Sequence, residues 1–224
     1  MKKFCEIAII YIPAAFLLIS VTWVLTYRWT PIKWTPLMLA RTVENMNSDN
    51  YINRQIWVSK EDVSQILIDA ILLAEDQRFY SHNGFDLIEL ETMMTDHVNY
   101  GKEIRGCSTI SQQVAKNCFT FGSHTLLRKA IEAYYTVLIE LLWGKERILE
   151  VYLNVVETGR GLFGVEAACQ RYFGTDSSNI SISDAVALAC VLPKPLTRTP
   201  NTVLYIHPQK HAIIAKQLGK TLTK

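Results

Sequence analysis

The chain has 224 residues and a formal net charge of +2, its 23 Lys and Arg interspersed with 21 Asp and Glu. That balance lacks the basic face that duplex or single-stranded nucleic acid requires, so no nucleic-acid partner is expected. The length suits one domain of ordinary size with an appendage, and five cysteines at irregular spacing with no CxxC pair argue against a zinc ribbon or a thioredoxin-like motif.

The appendage is the uncharged run IAIIYIPAAFLLISVTWVL from Ile7 to Leu25, about the length that crosses a bilayer's hydrocarbon core as a helix. Lys2 and Lys3 precede it, and Trp23, Tyr27 and Trp29 stand at its far end, where interfacial aromatics belong. No small-residue cleavage site stands out, so residues 1–28 read as a retained anchor with a cytoplasmic N-terminus; a cleaved signal peptide is the competing reading. Residues 29–58 read as a connector, with two Thr-Pro steps followed by a short helix, and residues 59–224 as the folded domain.

Within that domain the pattern is mainly helical. Ser59 and Asp62 resemble a capping box for a helix predicted to end near His82, with Gly84 as its stop, and Thr109 with Gln112 does the same for a helix to about Phe119. Helical spacing runs from Leu126 to Trp143, pauses at Gly144 and resumes from Lys145 to about Val156. Further helices are expected from Gly164 to Gly174, from Ser183 to Pro193, and from Pro208 onward. Strand-like alternation is nearly absent, leaving room for one small hairpin near residues 50–58 or 195–206. Cys118, Cys169 and Cys190 fall among apolar neighbours and read as buried thiols, although disulfides among the four cysteines beyond the anchor are the alternative in an oxidising compartment.

Four stretches carry chemistry. In AEDQRFYSHNG, the apolar stripe Val63, Ile66, Leu67, Ala70, Ile71 and Ala74 leads to Glu75 at its own edge, where a carboxylate is costly to bury unless it is paired or used. In RGCSTISQQVAKN, from Arg105 to Asn117, Thr109, Gln112, Gln113 and Lys116 share one side of a helix, opposite Ile110, Val114 and Cys118. Hydroxyls and amides of this kind suit a polyhydroxylated ligand, although a solvated surface is the simpler reading. In RKAIE, Arg128 and Glu132 have i, i+4 spacing in the weaker orientation for a plain helix salt bridge. The fourth stretch, GRGLFG from Gly159 to Gly164, matches GxGxxG, but helical spacing precedes it where a dinucleotide fold needs a strand. His207 and His211 have i, i+4 spacing with no third metal-type ligand nearby, and no Ser-x-x-Lys of penicillin-binding chemistry occurs. Paired carboxylates suit glycosyl chemistry, clustered cations suit a departing diphosphate, and an anchor suits a lipid-borne substrate.

The runs AEDQRFYSHNGFD, RGCSTISQQVAKNCF, RKAIEA, KERILEVYLN and GRGLFGVEAACQRYFG resemble, in order, the five motifs of the peptidoglycan glycosyltransferases, glycosyltransferase family 51, and in particular its monofunctional members. The resemblance implies a mainly α, lysozyme-like fold with two lobes, the smaller embedded in the membrane. It also implies polymerisation of lipid II onto glycan carried by undecaprenyl diphosphate, at the periplasmic face of a bacterial inner membrane. On the matching positions it assigns Glu75 as general base and Glu132 as a second catalytic carboxylate. Phe79, Ser108, Thr109, Gln112, Gln113, Lys116, Asn117, Arg128 and Lys129 become substrate-binding residues. A divalent cation, Mg or Mn, at the diphosphate is part of the same implication with no ligands assigned, as are partners from cell-wall synthesis or division. Two departures stand out: Cys107, where many relatives carry Gly or Ala, and Thr92, where they often carry Arg or Lys. A lysozyme-like glycosidase and an inactive membrane-anchored scaffold are the alternative functions.

Overall fold

The computed structural model describes residues 2–46, 53–103, 106–121, 125–206 and 208–222; Arg105 and His207 lie outside them. Helix α1 runs from Lys2 to Trp29 through Pro13, and its stretch Ile10–Trp29 is long and apolar enough to cross a membrane, which suggests a membrane anchor. Thr35 caps α2 (Pro36–Glu44) by accepting the Met38 amide, with Pro36 opening the first turn, where its missing N–H costs nothing.

The mainly helical architecture expected from sequence is observed, and it matches the lysozyme-like fold that the resemblance implies. At its centre lies α5 (Ile110–Phe119), whose Ile110, Val114, Ala115 and Cys118 are fully buried between α6 (Leu126–Leu142) and α7 (Lys145–Val155). Beside it, α3 (Gln65–Glu75) packs Leu67, Ile68 and Ile71 against α9 (Ile182–Val191), and the two are covered by α11 (Pro208–Leu222) through Ile214 and Leu218. Of two more helices, α10 (Pro200–Ile206) packs on α9 and α11, and α8 (Val165–Phe173) packs against α7. By contrast α4 (Leu87–Tyr100) has no buried residue, and its Leu87, Leu90, Met94 and Val98 form an exposed apolar stripe. Cys118, Cys169 and Cys190 are free thiols, buried as their neighbours imply.

Several boundaries differ from the sequence reading. The helix predicted to reach His82 stops at Glu75, and Ser59 and Asp62 bond to each other across a separate single turn, Lys60–Asp62. Local capping signals are outcompeted here by tertiary hydrogen bonds to Asp76, the residue that ends α3. The helix assigned to Ser183 is capped two residues earlier by Ser181, which accepts the Asp184 amide. Among the described residues the hairpin is neither at 53–58 nor at 195–206: GRGLFG and the two residues before it form β2 (Glu157–Gly159) and β3 (Leu162–Phe163), while residues 200–206 are helical. The described part of the 50–58 stretch supplies a single strand, β1 (Arg54–Gln55), parallel to β3, giving the order β1-β3-β2. Among the described residues α7 precedes GRGLFG where a dinucleotide-binding βαβ unit needs a strand, so the motif does not form that cradle.

The motif ILEVYLN ends in Asn154, which is buried and fully engaged. Its amide accepts the Val58 N–H and donates to the Val58 and Glu150 carbonyls, stitching the connector to α7. Close behind it Gly164 has φ +80°, and a Cβ there would lie 2.8 Å from the Asn154 carbonyl oxygen, so the hairpin can close only on glycine. Replacing Asn154 with Ala would strand the Val58 N–H and C=O, and we expect a loss of about 1–3 kcal/mol in denaturant unfolding.

Candidate active site

The site begins where α3 ends. Asp76 turns its buried carboxylate toward the start of α5, accepting the Ile110 amide at 2.9 Å and His82 Nε2 at 2.9 Å. Because His82 Nδ1 accepts the Gly84 amide, the proton sits on Nε2 and the imidazole acts as a neutral donor to Asp76. Thr109 Oγ1 donates to the Gly84 carbonyl at 2.6 Å, closing the loop onto α5. The Thr109 and Gln112 capping box predicted from sequence is present in both directions.

This bracket sets Glu75 beside α5, where Gln113 Nε2 donates to its Oε2 at 2.8 Å. Loss of hydration raises the pKa of Glu75, and the neighbouring Asp76 adds to the rise; the Gln113 hydrogen bond and the charges of Lys210 and Arg198 oppose it. Tyr152 of α7, also near Glu75 and Asp76, keeps its hydroxyl buried without a protein partner. One turn along α5 from Gln113, Lys116 projects from the same side of the helix. Its pKa is lowered, first by loss of hydration and then by the Arg128 charge, with Glu132 and Glu157 partly compensating.

Glu132, 2% exposed, holds the far wall: Arg128 Nη1 donates to one carboxylate oxygen at 3.0 Å and Lys129 Nζ to the other. Thr125 caps this end of α6. Along α5 the structure places Gln113, bonded to Glu75, and one turn further Lys116, which lies within electrostatic reach of Arg128 and Glu132 at the start of α6. Ser108 is exposed just before α5. The other expected contacts have structural work. Thr109 and Gln112 are buried in the capping box, Asn117 is buried, and Phe79 is 1% exposed with the Lys145 ammonium 4.5 Å over its ring. Phe79 thus packs in the core in this arrangement.

Sequence reasoning passed over Lys210, Arg198, Arg41 and Glu157. Arg41 of α2 grips Glu157 of β2 through two hydrogen bonds of 2.9 and 3.0 Å, and both sit within electrostatic reach of Lys116. Their 116-residue separation left no local signal. Of the two departures, Cys107 is half-buried and Thr92 bonds its own helix through the Ile88 carbonyl.

A divalent cation would need a carboxylate oxygen at the cradle, yet both oxygens of Glu132 already face cations. Among the described residues, Asp76, His82 and Asp86 bring ligand atoms within 4.8 Å of one another, but Asp76 and His82 are engaged with each other. Among the described residues, the side chains at the cradle do not fit a protein-held ion at the diphosphate.

The Transglycosylase family profile matches residues 41–219. The chain belongs to that family. It is 44% identical over 181 residues to the Biosynthetic peptidoglycan transglycosylase of Bdellovibrio bacteriovorus, covering 80% of this chain and 72% of the relative. The protein of the same name from Pseudomonas entomophila is 46% identical over 178 residues, covering 79% and 75%, and that from Bacteroides thetaiotaomicron 43% over 174 residues, covering 77% and 70%. The family match begins at Arg41, the residue that ties α2 to β2.

The raised pKa of Glu75 has a stability consequence whose sign is fixed. A carboxylate raised in the folded state favours folding fully below its unfolded pKa, and that contribution is lost as pH rises through the folded pKa. Glu75→Gln should therefore raise the unfolding temperature at pH 8 and leave it nearly unchanged at pH 4, measured by thermal unfolding at both values.

Proposed function

We propose that this transglycosylase polymerises lipid II into β-1,4-linked glycan strands, releasing undecaprenyl diphosphate from the growing chain. The observation that carries the reading is the Gln113 bridge: α5 holds a poorly hydrated carboxylate through Gln113 and, one helical turn further on, carries the cation Lys116, which lies within electrostatic reach of Arg128 and Glu132. Glu75 takes the proton of the acceptor's 4-hydroxyl as that oxygen attacks the donor's anomeric carbon. The bond to the diphosphate oxygen breaks with inversion, and its electron pair leaves with undecaprenyl diphosphate. Lys116, Arg128 and Lys129 stabilise the growing negative charge there, while Glu132 holds Arg128 and Lys129 in place. The exposed apolar stripe on α4 would rest against the lipid face, and the anchor would place the domain on the periplasmic side of the inner membrane.

Purified lipid II and the full chain test this directly. Glu75→Gln should lower polymer formation by about 10²–10⁴-fold, the usual weight of a general base. Full activity in that variant would refute the assignment, and sugar release from purified sacculi would favour a glycosidase. Turnover unaffected by a chelator is expected from a cradle without a free carboxylate.

The pH profile gives a second check. Activity should rise with pH through the elevated pKa of Glu75 and fall at alkaline pH as Lys116, its pKa lowered, loses its proton. Gln113→Ala removes a bond that favours the charged carboxylate, so the acid limb should move to higher pH.

A further inference from the structure

A helix leaves its last carbonyls without intrahelical donors, and near a membrane water does not reliably supply them. The outward end of α1 is satisfied by the domain instead. Arg147 of α7 donates from Nη2 to the Tyr27 carbonyl at 2.7 Å and the Thr30 carbonyl at 2.6 Å, and from Nε to Tyr27 again at 3.2 Å. Its Nη1 bonds Glu150 at 2.6 Å and its guanidinium lies 5.3 Å over the Trp57 ring, so the group is held on every side. Trp143, which caps α6, donates Nε1 to the Val24 carbonyl at 2.7 Å.

The contact continues down the anchor. The Ser20 and Tyr134 hydroxyls lie 2.6 Å apart, and Phe16 meets the Tyr134 ring at 5.4 Å. Trp23 meets Phe119 edge-on at 5.4 Å, and Phe119 stacks on Tyr135 at 4.5 Å. Ser20 and Val24 are buried, whereas Ile10, Leu18 and Ile19 are exposed on the same helix. Phe119 ends α5 and Tyr134 and Tyr135 belong to α6, so the helices that grip the anchor are those carrying Lys116, Arg128 and Lys129.

We propose that α1 is a fixed strut of the catalytic unit: Arg147 and Trp143 lock its outer end to α6 and α7, setting the height and tilt of the cationic cradle over the bilayer. The consequence for catalysis rests on the reading of a lipid-linked substrate, whose diphosphate is held at the membrane surface by its own chain. Arg147 and Trp143 act as positioning residues and touch no reacting atom. Removing the helix would leave the Trp143 indole and the Arg147 guanidinium without these carbonyl partners, which favours retention of the apolar segment over its cleavage.

The test uses the full chain with spin labels attached at noncanonical residues replacing Leu18 on α1 and Arg171 on α8, both exposed, reconstituted in vesicles. The parent should give one narrow distance distribution, and Trp143→Phe combined with Arg147→Met a broad one. Polymer formation from lipid II should fall roughly tenfold in vesicles, as expected for a misplaced site, and much less in detergent micelles, where no bilayer height is imposed. A parent that is already broad, a double variant that stays narrow, or equal losses in vesicles and micelles would each overturn the strut. Glu75→Gln should keep the narrow distribution while losing activity, so failure of the base assignment and failure of the strut are read separately.

Discussion

The site depends on one buried carboxylate. Asp76 accepts an amide from the first turn of α5 and a proton-bearing imidazole from the loop after α3, and these bonds fix the end of one helix against the start of another. Without that bracket Glu75 would be an ordinary acid at a helix terminus. With it, the carboxylate is carried to Gln113, away from bulk water, and is made a stronger base than its chemistry alone provides.

The same helix α5 joins two opposite electrostatic demands. At its first turn it supports an acid whose pKa is raised, and near its end it presents an ammonium beside Arg128 whose pKa is lowered. The buried Glu132 compensates that concentration of cations, whereas Arg41 adds to it and its partner Glu157 opposes it. Removing such a buried partner uncovers a charge that has lost its solvent, which is why Glu132 matters even if it never moves a proton. The anchor enters this balance through packing, since its aromatic contacts reach Phe119 and Tyr135 behind the cradle.

Much was legible locally. The capping box at Thr109, the glycine stops at Gly144 and Gly174 and the apolar span of the anchor rest on nearest-neighbour chemistry, and each is present where spacing places it. The end of α3, the cap at Ser181 and the hairpin in GRGLFG were misplaced. Their outcome depends on partners far along the chain: the Ile110 amide for Asp76, the strand at Arg54 for Leu162. The burial of Phe79 was hidden for a related reason, because a motif position does not reveal whether its side chain faces solvent or the core.

By itself the sequence determined the helical composition, the membrane-length apolar segment and the set of residue types able to move a proton and hold a diphosphate, because periodicity, capping and residue chemistry are properties of short stretches. Only the tertiary structure decided that Glu75 is poorly hydrated and bridged to Gln113, that Glu132 neutralises Arg128 and Lys129 from within, and that Arg147 grips the anchor. Hydration and charge compensation depend on which distant segments meet, and that is settled by packing.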